Sequence, residues 1–267
     1  MPKQKMKVIQ AGNFVRVVLY TPTYPSDNNK ARSERQKITT EARRRINLRY
    51  SWQRLQLLIE SNFRHGDIFV TLTYDDAHLP VNRKDARNKI KQFIRELRAY
   101  KKQRGIDIKY IYCIEGLHSN GRIHHHILLN LPVDDLKLLS KLWKYGDEHD
   151  VNIEPFEQWG GKTLAQYLTK EPRNGDVAEC GARSWAGSKN LAKPIIYPTQ
   201  WVDANIRLDT PINAHIVLND TLQNEWGGYS YLEYYLQDPP PQTKSRSAKT
   251  KKRIETYNFG PDAIYNK

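Results

Sequence analysis

Cysteine is scarce in this chain of 267 residues, where only Cys113 and Cys180 occur. Two cysteines cannot form a disulfide framework, and they offer too few thiolates for a zinc knuckle. Cys113 stands in an apolar run, which predicts a buried free thiol. The cysteine content therefore indicates a reducing, intracellular setting.

Long apolar runs and acidic residues are also in short supply. No stretch approaches the roughly 18 apolar residues that a membrane-spanning helix needs, so no membrane partner is expected. The N-terminal residues 1–7 lack the apolar segment of a secretory signal peptide. Asp and Glu number 29 against 43 Lys and Arg, which gives a net charge of +14. This excess favours a polyanionic partner such as a nucleic acid, with a basic protein that has no such partner as the alternative.

The periodicity of apolar residues predicts an α+β fold. Alternating or β-rich segments predict strands at residues 8–20, 67–75, 108–115, 123–131 and 150–156. Helical spacing predicts helices at residues 33–63, 83–104, 134–143 and 162–170. This order of elements is typical of a central antiparallel or mixed sheet with helices on one side.

The composition of the chain changes towards its C-terminus. Residues 173–193 have the small and polar residues of a loop, and residues 194–236 return to β-type sequence. The sequence thus predicts a domain at 1–173, a β-rich extension at 174–237 and a basic tail at 238–267. Within the first domain we expect a core at 67–172, preceded by an N-terminal strand and a basic helix at 8–63.

A pair of histidines, His124 and His126, stands in the strand predicted at 123–131. Alternate side chains of a strand share a face, so these two imidazoles point the same way and offer two ligands to a divalent metal. A strand with a polar, solvent-facing side is the alternative explanation. His125 points to the other face among apolar neighbours and is expected to be packed rather than to bind metal.

An oxygen ligand is needed as well, because Mg²⁺ and Mn²⁺ prefer oxygen. Glu115 ends the strand that precedes the histidines, and residues 116–122 can turn the chain back. An antiparallel hairpin would therefore set Glu115 beside His124 or His126. A salt bridge from Glu115 to Arg122 is the competing role.

Tyr167 is the only one of the 16 tyrosines that has a lysine, Lys170, three positions later. On a helix these two residues lie on one face, where the ammonium group can hold a phosphate and favour the phenolate form of the tyrosine. When the pair is taken alone, an amphipathic helix with an exposed lysine and a half-buried tyrosine is the better explanation. Combined with the paired histidines and Glu115, in this order, the tyrosine indicates attack on a DNA phosphate.

These motifs resemble those of the HUH endonucleases. Among them, the closest likeness is to the single-tyrosine rolling-circle replication initiators (Rep proteins) of small phages, plasmids and single-stranded DNA viruses. Residues 69–74 resemble the first family motif, residues 124–126 the histidine motif and residues 167–170 the tyrosine motif. Glu115 stands where many members place an acidic ligand. The match covers about residues 67–172, and His125 departs from the hydrophobic residue that is usual at its position.

The resemblance implies a central antiparallel sheet with flanking helices, related to ferredoxin and RNA-recognition folds. It implies that His124, His126 and Glu115 hold Mg²⁺ or Mn²⁺, and that Tyr167, assisted by Lys170, attacks single-stranded DNA at a replication origin. The products would be a 5′-phosphotyrosyl link and a free 3′-hydroxyl, and the reverse reaction would rejoin ends. A host helicase and polymerase are the expected partners, and the cytoplasm of a bacterial or archaeal host is the expected location.

Hydroxyl and basic side chains are candidates for contacts with the DNA. Thr71 and Thr73 share one face of the strand predicted at 67–75, and Arg122 follows the turn before the histidines. Backbone contacts are also expected from four arginines of the basic helix, Arg43, Arg44, Arg45 and Arg49. Aromatic residues such as Tyr74 and Trp143 are candidates to stack on bases, although most aromatic residues belong to a core.

Other functions remain compatible with these residues. A relaxase or a single-tyrosine transposase would use the same core, although relaxases commonly present a third histidine in place of Glu115 and such transposases are usually shorter. A metal-activated hydrolase would use water as its nucleophile. A non-catalytic, basic nucleic-acid-binding protein would carry the histidine pair by coincidence.

Overall fold

The computed structural model describes residues 3–22, 40–116, 122–147, 150–156, 161–169, 185–203, 205–224 and 227–236. The chain forms two compact units, one from residues 1–38 with 193–267 and the other from residues 39–192. In the described part, none of the helices has both the length and the apolar composition that crossing a bilayer requires.

The two units are built from the following elements. The strands are β1 Lys3–Ala11, β2 Phe14–Tyr20, β3 Ile68–Leu72, β4 Tyr110–Glu115, β5 His124–Leu129, β6 Val151–Pro155, β7 Trp185–Gly187, β8 Ile195–Ile196, β9 Gln200–Asp203, β10 Ala214–Asn224 and β11 Gly227–Leu236. The helices are α1 Thr40–Asn62, α2 Arg83–Lys102, α3 Leu136–Leu142 and α4 Gly161–Leu168, and short 3₁₀ turns lie at Asp76–His78 and Val133–Asp135.

The sheet of the unit at 39–192 has the strand order β6-β3-β5-β4-β7, and every neighbouring pair is antiparallel. Strand β5 is central, so His126 lies between Thr71 on one side and Cys113 on the other. The β4–β5 hairpin also places Glu115 opposite His124. The predicted α+β fold with a central antiparallel sheet and flanking helices is therefore confirmed.

Helices cover both faces of this sheet, not one face as the order of elements suggested. The first face packs against α2 and α3, through a cluster that includes Ile90, Phe93, Leu139, Val70 and Ile127. The second face packs against α1 and α4, through a cluster that includes Leu55, Ile59, Ala165, Ile111 and Leu128. The physical reason is that β4 and β5 are apolar on both faces, so each face needs a layer to exclude water.

Helix α2 shows how local sequence sets the bounds of an element. The Asn82 side chain accepts a hydrogen bond from the backbone N–H of Asp85, which caps the N-terminus. Five of its apolar residues are buried against the sheet, and its last two residues are lysines, which suit the C-terminal end of the helix dipole. Gly105 follows with a φ of 72°, a conformation that suits glycine and turns the chain away from the helix.

The unit at residues 1–38 and 193–267 has its own antiparallel sheet, with the order β10-β11-β2-β1 and with β8 and β9 both pairing with β1. The N-terminal segment, expected to form one strand of the domain at 1–173, forms the hairpin β1–β2 and pairs with C-terminal strands. The buried backbone of β2 needs hydrogen-bond partners on both edges, which β1 and β11 supply. The expected boundary after residue 173 lies outside the described residues. Within the segment expected to be a loop, residues 185–187 form β7, a strand too short to leave a periodic signal.

Trp143 is the largest fully buried side chain among the described residues, and replacing it tests the packing of the first face. Its indole packs against Phe93, Tyr74 and His125, and its N–H donates to the backbone carbonyl of Thr73 at 2.6 Å. We expect Trp143→Ala to lower the free energy of unfolding by about 3–5 kcal/mol, since it leaves a cavity and an unpaired carbonyl.

Urea denaturation measures this loss. Val81→Ala, at a side chain that is 87% exposed, serves as the control and should change stability by less than about 0.5 kcal/mol. Equal stabilities of the two variants would contradict the packing described for this face.

Candidate metal and nucleophile site

The β4–β5 hairpin brings three ligand-type side chains together at the edge of the second sheet face. Glu115 Oε2 lies 3.6 Å from Nε2 of His124 and 3.5 Å from Nε2 of His126. The two Nε2 atoms are 3.1 Å apart, and the ligand atoms of all three residues lie within 4.8 Å of one another. Gly116 starts the return of the chain with a φ of 82°, and a Cβ there would stand 2.4 Å from the carbonyl oxygen of Arg122.

Hydrogen bonds behind the imidazoles turn their Nε2 atoms towards the carboxylate. Nδ1 of His124 donates to the backbone carbonyl of Arg122 at 2.8 Å, which leaves the lone pair of the neutral ring on Nε2. Nδ1 of His126 lies 3.0 Å from the Thr71 hydroxyl oxygen. Such outer partners are what orients histidine ligands in metal sites.

The donor set fits a divalent cation. Two imidazole nitrogens and a carboxylate oxygen converge on one point, and Glu115 and His126 are only 7% and 4% exposed. The two Nε2 atoms lie 3.1 Å apart beside the buried carboxylate, and imidazole nitrogen and carboxylate oxygen are both common ligands of divalent metals. The competing salt bridge from Glu115 to Arg122 is not formed, because the Arg122 guanidinium binds Asp76 at 2.7 Å and the carbonyl of Tyr74.

Tyr167 lies directly beside this group. Its hydroxyl oxygen is 3.1 Å from Nε2 of His126, and its side chain remains 36% exposed. Helix α4 reaches this position because it starts tightly against α1, where a Cβ on Gly161 would stand 2.1 Å from Oε1 of Glu60. The structure therefore brings together the phenol and the three ligand-type side chains that the sequence singled out.

Phe69 is a member of the site that the sequence analysis did not assign. Its ring stacks on His126, with centroids 5.3 Å apart and an angle of 12° between the planes, and it meets the ring of Tyr167 edge-on. The available signal was strand alternation, because Phe69 and Thr71 share one face of β3 and β3 pairs with the histidine strand. Phe69 thus fixes the ring planes of both partners.

The residues proposed to contact DNA lie in different places. Thr71 touches His126, whereas Thr73 donates to the Asp150 carboxylate at 2.6 Å. Arg49 is exposed on α1, and Arg122 is held by Asp76. Lys170 and the side chains of Arg43, Arg44 and Arg45 lie outside what the structure describes.

Tyr74 and Trp143, considered for base stacking, are each only 1% exposed and belong to the core instead. Their neighbour His125 points away from the paired histidines and is completely buried, as expected from strand alternation. The Tyr74 hydroxyl contacts its Nε2 atom. Burial, assisted by the nearby His124 and His126, lowers the pKa of His125 from 6.5 to about 3, so its ring is neutral at physiological pH.

Known proteins match the segment of the chain that contains this site. Residues 67–172 match the model of the family "Replication-associated protein ORF2/G2P". The "Replication-associated protein ORF2" of Spiroplasma virus 4 is 37% identical over 123 residues, which cover 44% of this chain and 35% of the relative. The chain thus spans about a third of the length of the curated relative it matches, and no solved structure gives a significant match. Both matches support the predicted resemblance to replication initiators of small viruses.

The buried His125 predicts how folding stability depends on pH. The unfolded chain binds a proton at His125 near pH 6.5, whereas the folded chain does so only near pH 3, so stability should fall as the pH drops below 6.5. At pH 5 this loss amounts to about 2 kcal/mol.

Denaturation at pH 7.5 and pH 5 checks this expectation. His125→Phe should lose about 2 kcal/mol less than the wild type between these two pH values. Tyr74→Phe removes the hydroxyl partner but leaves His125 buried, so it should keep the wild-type dependence on pH. An unchanged pH dependence in His125→Phe would exclude His125 as its source.

Proposed function

Because residues 67–172 are related to replication-associated proteins of small viruses, we propose that this protein initiates replication by nicking single-stranded origin DNA. Tyr167 is the proposed nucleophile. The observation that carries the proposal is the 3.1 Å separation between its hydroxyl oxygen and His126, within a group of three converging ligand-type side chains. A reactive phenol and a cation-binding group therefore share one small site.

The reaction forms one phosphoester bond and breaks another. As the Tyr167 oxygen bonds to phosphorus, the bond from phosphorus to the 3′-oxygen breaks, and the phenol proton is in effect transferred to that oxygen. The result is a 5′-phosphotyrosyl link and a free 3′-hydroxyl that primes synthesis. One phosphoester replaces another, so the reverse reaction rejoins the ends.

The side chains of the site orient these reactants. His126 and Phe69 hold the phenol ring of Tyr167 from two sides, and the exposed side of the ring leaves an approach for a flexible strand. Glu115, His124 and His126 would hold Mg²⁺ or Mn²⁺, which would withdraw charge from a phosphate oxygen when bound. From its spacing on the helix, Lys170 is proposed to steady the phosphate.

The surroundings of this site complete the proposal. Arg43, Arg44, Arg45 and Arg49 supply backbone contacts to the single strand, and Thr71, Thr73 and Arg122 border its path. A host helicase opens the duplex, and a host polymerase extends the 3′-hydroxyl. The chemistry is assigned to the core at 67–172, and the flanking parts of the chain serve DNA binding.

A hydrolase that activates water is the second candidate. It would need the same three ligands but no tyrosine beside them. The contact between Tyr167 and His126 favours the covalent mechanism, because a phenol placed there occupies the position from which water would attack.

The nucleophile is tested with a labelled single-stranded oligonucleotide from the cognate origin and Mn²⁺. We expect a protein–DNA adduct that survives denaturation, and Tyr167→Phe should abolish it, a loss of at least about 10³-fold. Tyr50→Phe, at a tyrosine that is 66% exposed on α1, is the matched control and should form the adduct at the wild-type rate. Cleavage without an adduct that persists in Tyr167→Phe would establish water as the nucleophile.

The metal requirement is tested through Thr71, which contacts His126 behind the proposed metal. Chelation with EDTA should stop adduct formation, and Mn²⁺ or Mg²⁺ should restore it. In Thr71→Val the Mn²⁺ concentration for half-maximal activity should rise about 10–100-fold, because the ligand loses its outer partner.

Thr221→Val, at an exposed strand threonine, serves as the control for the metal experiment and should need no more Mn²⁺ than the wild type. Activity that is insensitive to EDTA, or an equal Mn²⁺ requirement in the two threonine variants, would refute the metal site.

A further inference from the structure

Helix α2 carries a row of six basic side chains along its outer surface. They recur every three or four residues, at Lys84, Arg87, Lys91, Arg95, Arg98 and Lys102, and all six are exposed. At about 100° per residue they fall within an arc of about 80°, and at 1.5 Å per residue the row is about 27 Å long. This set is called the α2 basic row below.

The charges of the α2 basic row are not neutralised by neighbouring carboxylates. Both acidic residues of the helix are engaged elsewhere, since Asp85 pairs with Lys89 at 3.2 Å and Glu96 pairs with Lys144 at 2.9 Å. None of the six cations forms an ion pair with an acidic residue of the described ranges. Asp107, at the end of the row, accepts a hydrogen bond from Asn190 at 2.8 Å. A concentrated positive charge therefore faces solvent.

A groove runs beside this row. It has a volume of about 320 Å³, and four of the six cations line it. Ile94, Ile106 and Tyr110 form its apolar floor, on which the stems of the long basic side chains can lie. The four cations at the C-terminal end of the row therefore border one open groove, whose lining also includes Asp107.

This surface lies on the opposite side of the sheet from the candidate site. Helix α2 packs on the face that bears Val70 and Ile127, whereas His126 points to the face on which α1 and α4 pack. The nucleotides of a DNA single strand that contact Tyr167 cannot contact the α2 basic row as well. The row must therefore serve a different segment of nucleic acid or a different partner.

We propose that the α2 basic row binds the sugar–phosphate backbone of double-stranded DNA. A straight, rigid line of cations matches a stiff polyanion, and about 27 Å of duplex presents about eight phosphates on each strand. Sites for single strands add exposed aromatic rings on which bases stack. Two aromatic rings lie beside this row. Tyr100 is covered by the Arg104 guanidinium at 3.6 Å, and Tyr110 is half-buried in the floor of the groove, so neither is a fully exposed ring on which a base could stack.

The inference rests on the charge and geometry of α2 and does not require the proposed nicking reaction. If duplex binding and nicking both occur, the protein would bind duplex DNA on one side of the sheet while single-stranded DNA reaches Tyr167 on the other side. Backbone contacts of this kind carry no sequence information, so binding to the row should be independent of the duplex sequence.

Salt-dependent binding to a 16-base-pair duplex without origin sequence tests the proposal. The triple variant Lys91→Gln, Arg95→Gln and Arg98→Gln removes three charges with little change in helix propensity. The slope of log K against log salt concentration should become shallower by about 2.7, and duplex affinity at 50 mM salt should fall by at least about 10²-fold. Affinity for a single strand of the same length should stay within about threefold of the wild-type value.

The matched control is the triple variant Arg64→Gln, Lys193→Gln and Arg207→Gln, which removes three exposed cations that lie on neither α2 nor its neighbour α3. It should change the slope by less than about 1. Equal losses in the two triple variants, no loss in either, or an equal loss of single-strand affinity in the α2 variant would overturn the proposal. Adduct formation on a short oligonucleotide reports separately on the nicking reaction, and the α2 variant should retain it.

Discussion

The antiparallel register between β4 and β5 is the constraint on which the candidate site depends. Pairing Glu115 with His124 and Cys113 with His126 puts a carboxylate and two imidazoles on one face of one hairpin. A slip by one residue would turn His125 into the site and send its neighbours into the core. The register is secured by the apolar residues of both strands, which are buried on both faces of the sheet.

Because successive side chains of β5 point to opposite faces of the sheet, the three consecutive histidines have different surroundings. His124 and His126 face each other's Nε2 atoms and the carboxylate, whereas His125 is buried against Tyr74 and Trp143 and remains neutral. The neutral ring matters because a charged group directly behind two candidate metal ligands would oppose cation binding. The departure from the usual family pattern at His125 is therefore accommodated by an aromatic pocket that accepts its ring.

The layered architecture separates two kinds of surface. Helices α1 and α4 frame the face with the ligand-type side chains and Tyr167, and α2 covers the other face while presenting its cations to solvent. The sheet lies between these two surfaces, so a ligand on one of them does not occupy the space of a ligand on the other. This separation suits a protein that would hold one DNA segment while acting on another.

The sequence by itself determined which side chains are candidates for the site and most of the local structure. Strand alternation placed His124 and His126 on one face and His125 on the other, and helical spacing located α2 to within two residues of its observed end. These features follow from contacts between residues close in the chain. Only the tertiary structure decided that α4 brings Tyr167 to His126, that Phe69 packs against both of their rings, that helices cover both sheet faces and that the N-terminal strands pair with C-terminal ones. Such contacts join residues far apart in the chain, and they depend on packing and strand pairing that leave no periodic signal in the sequence.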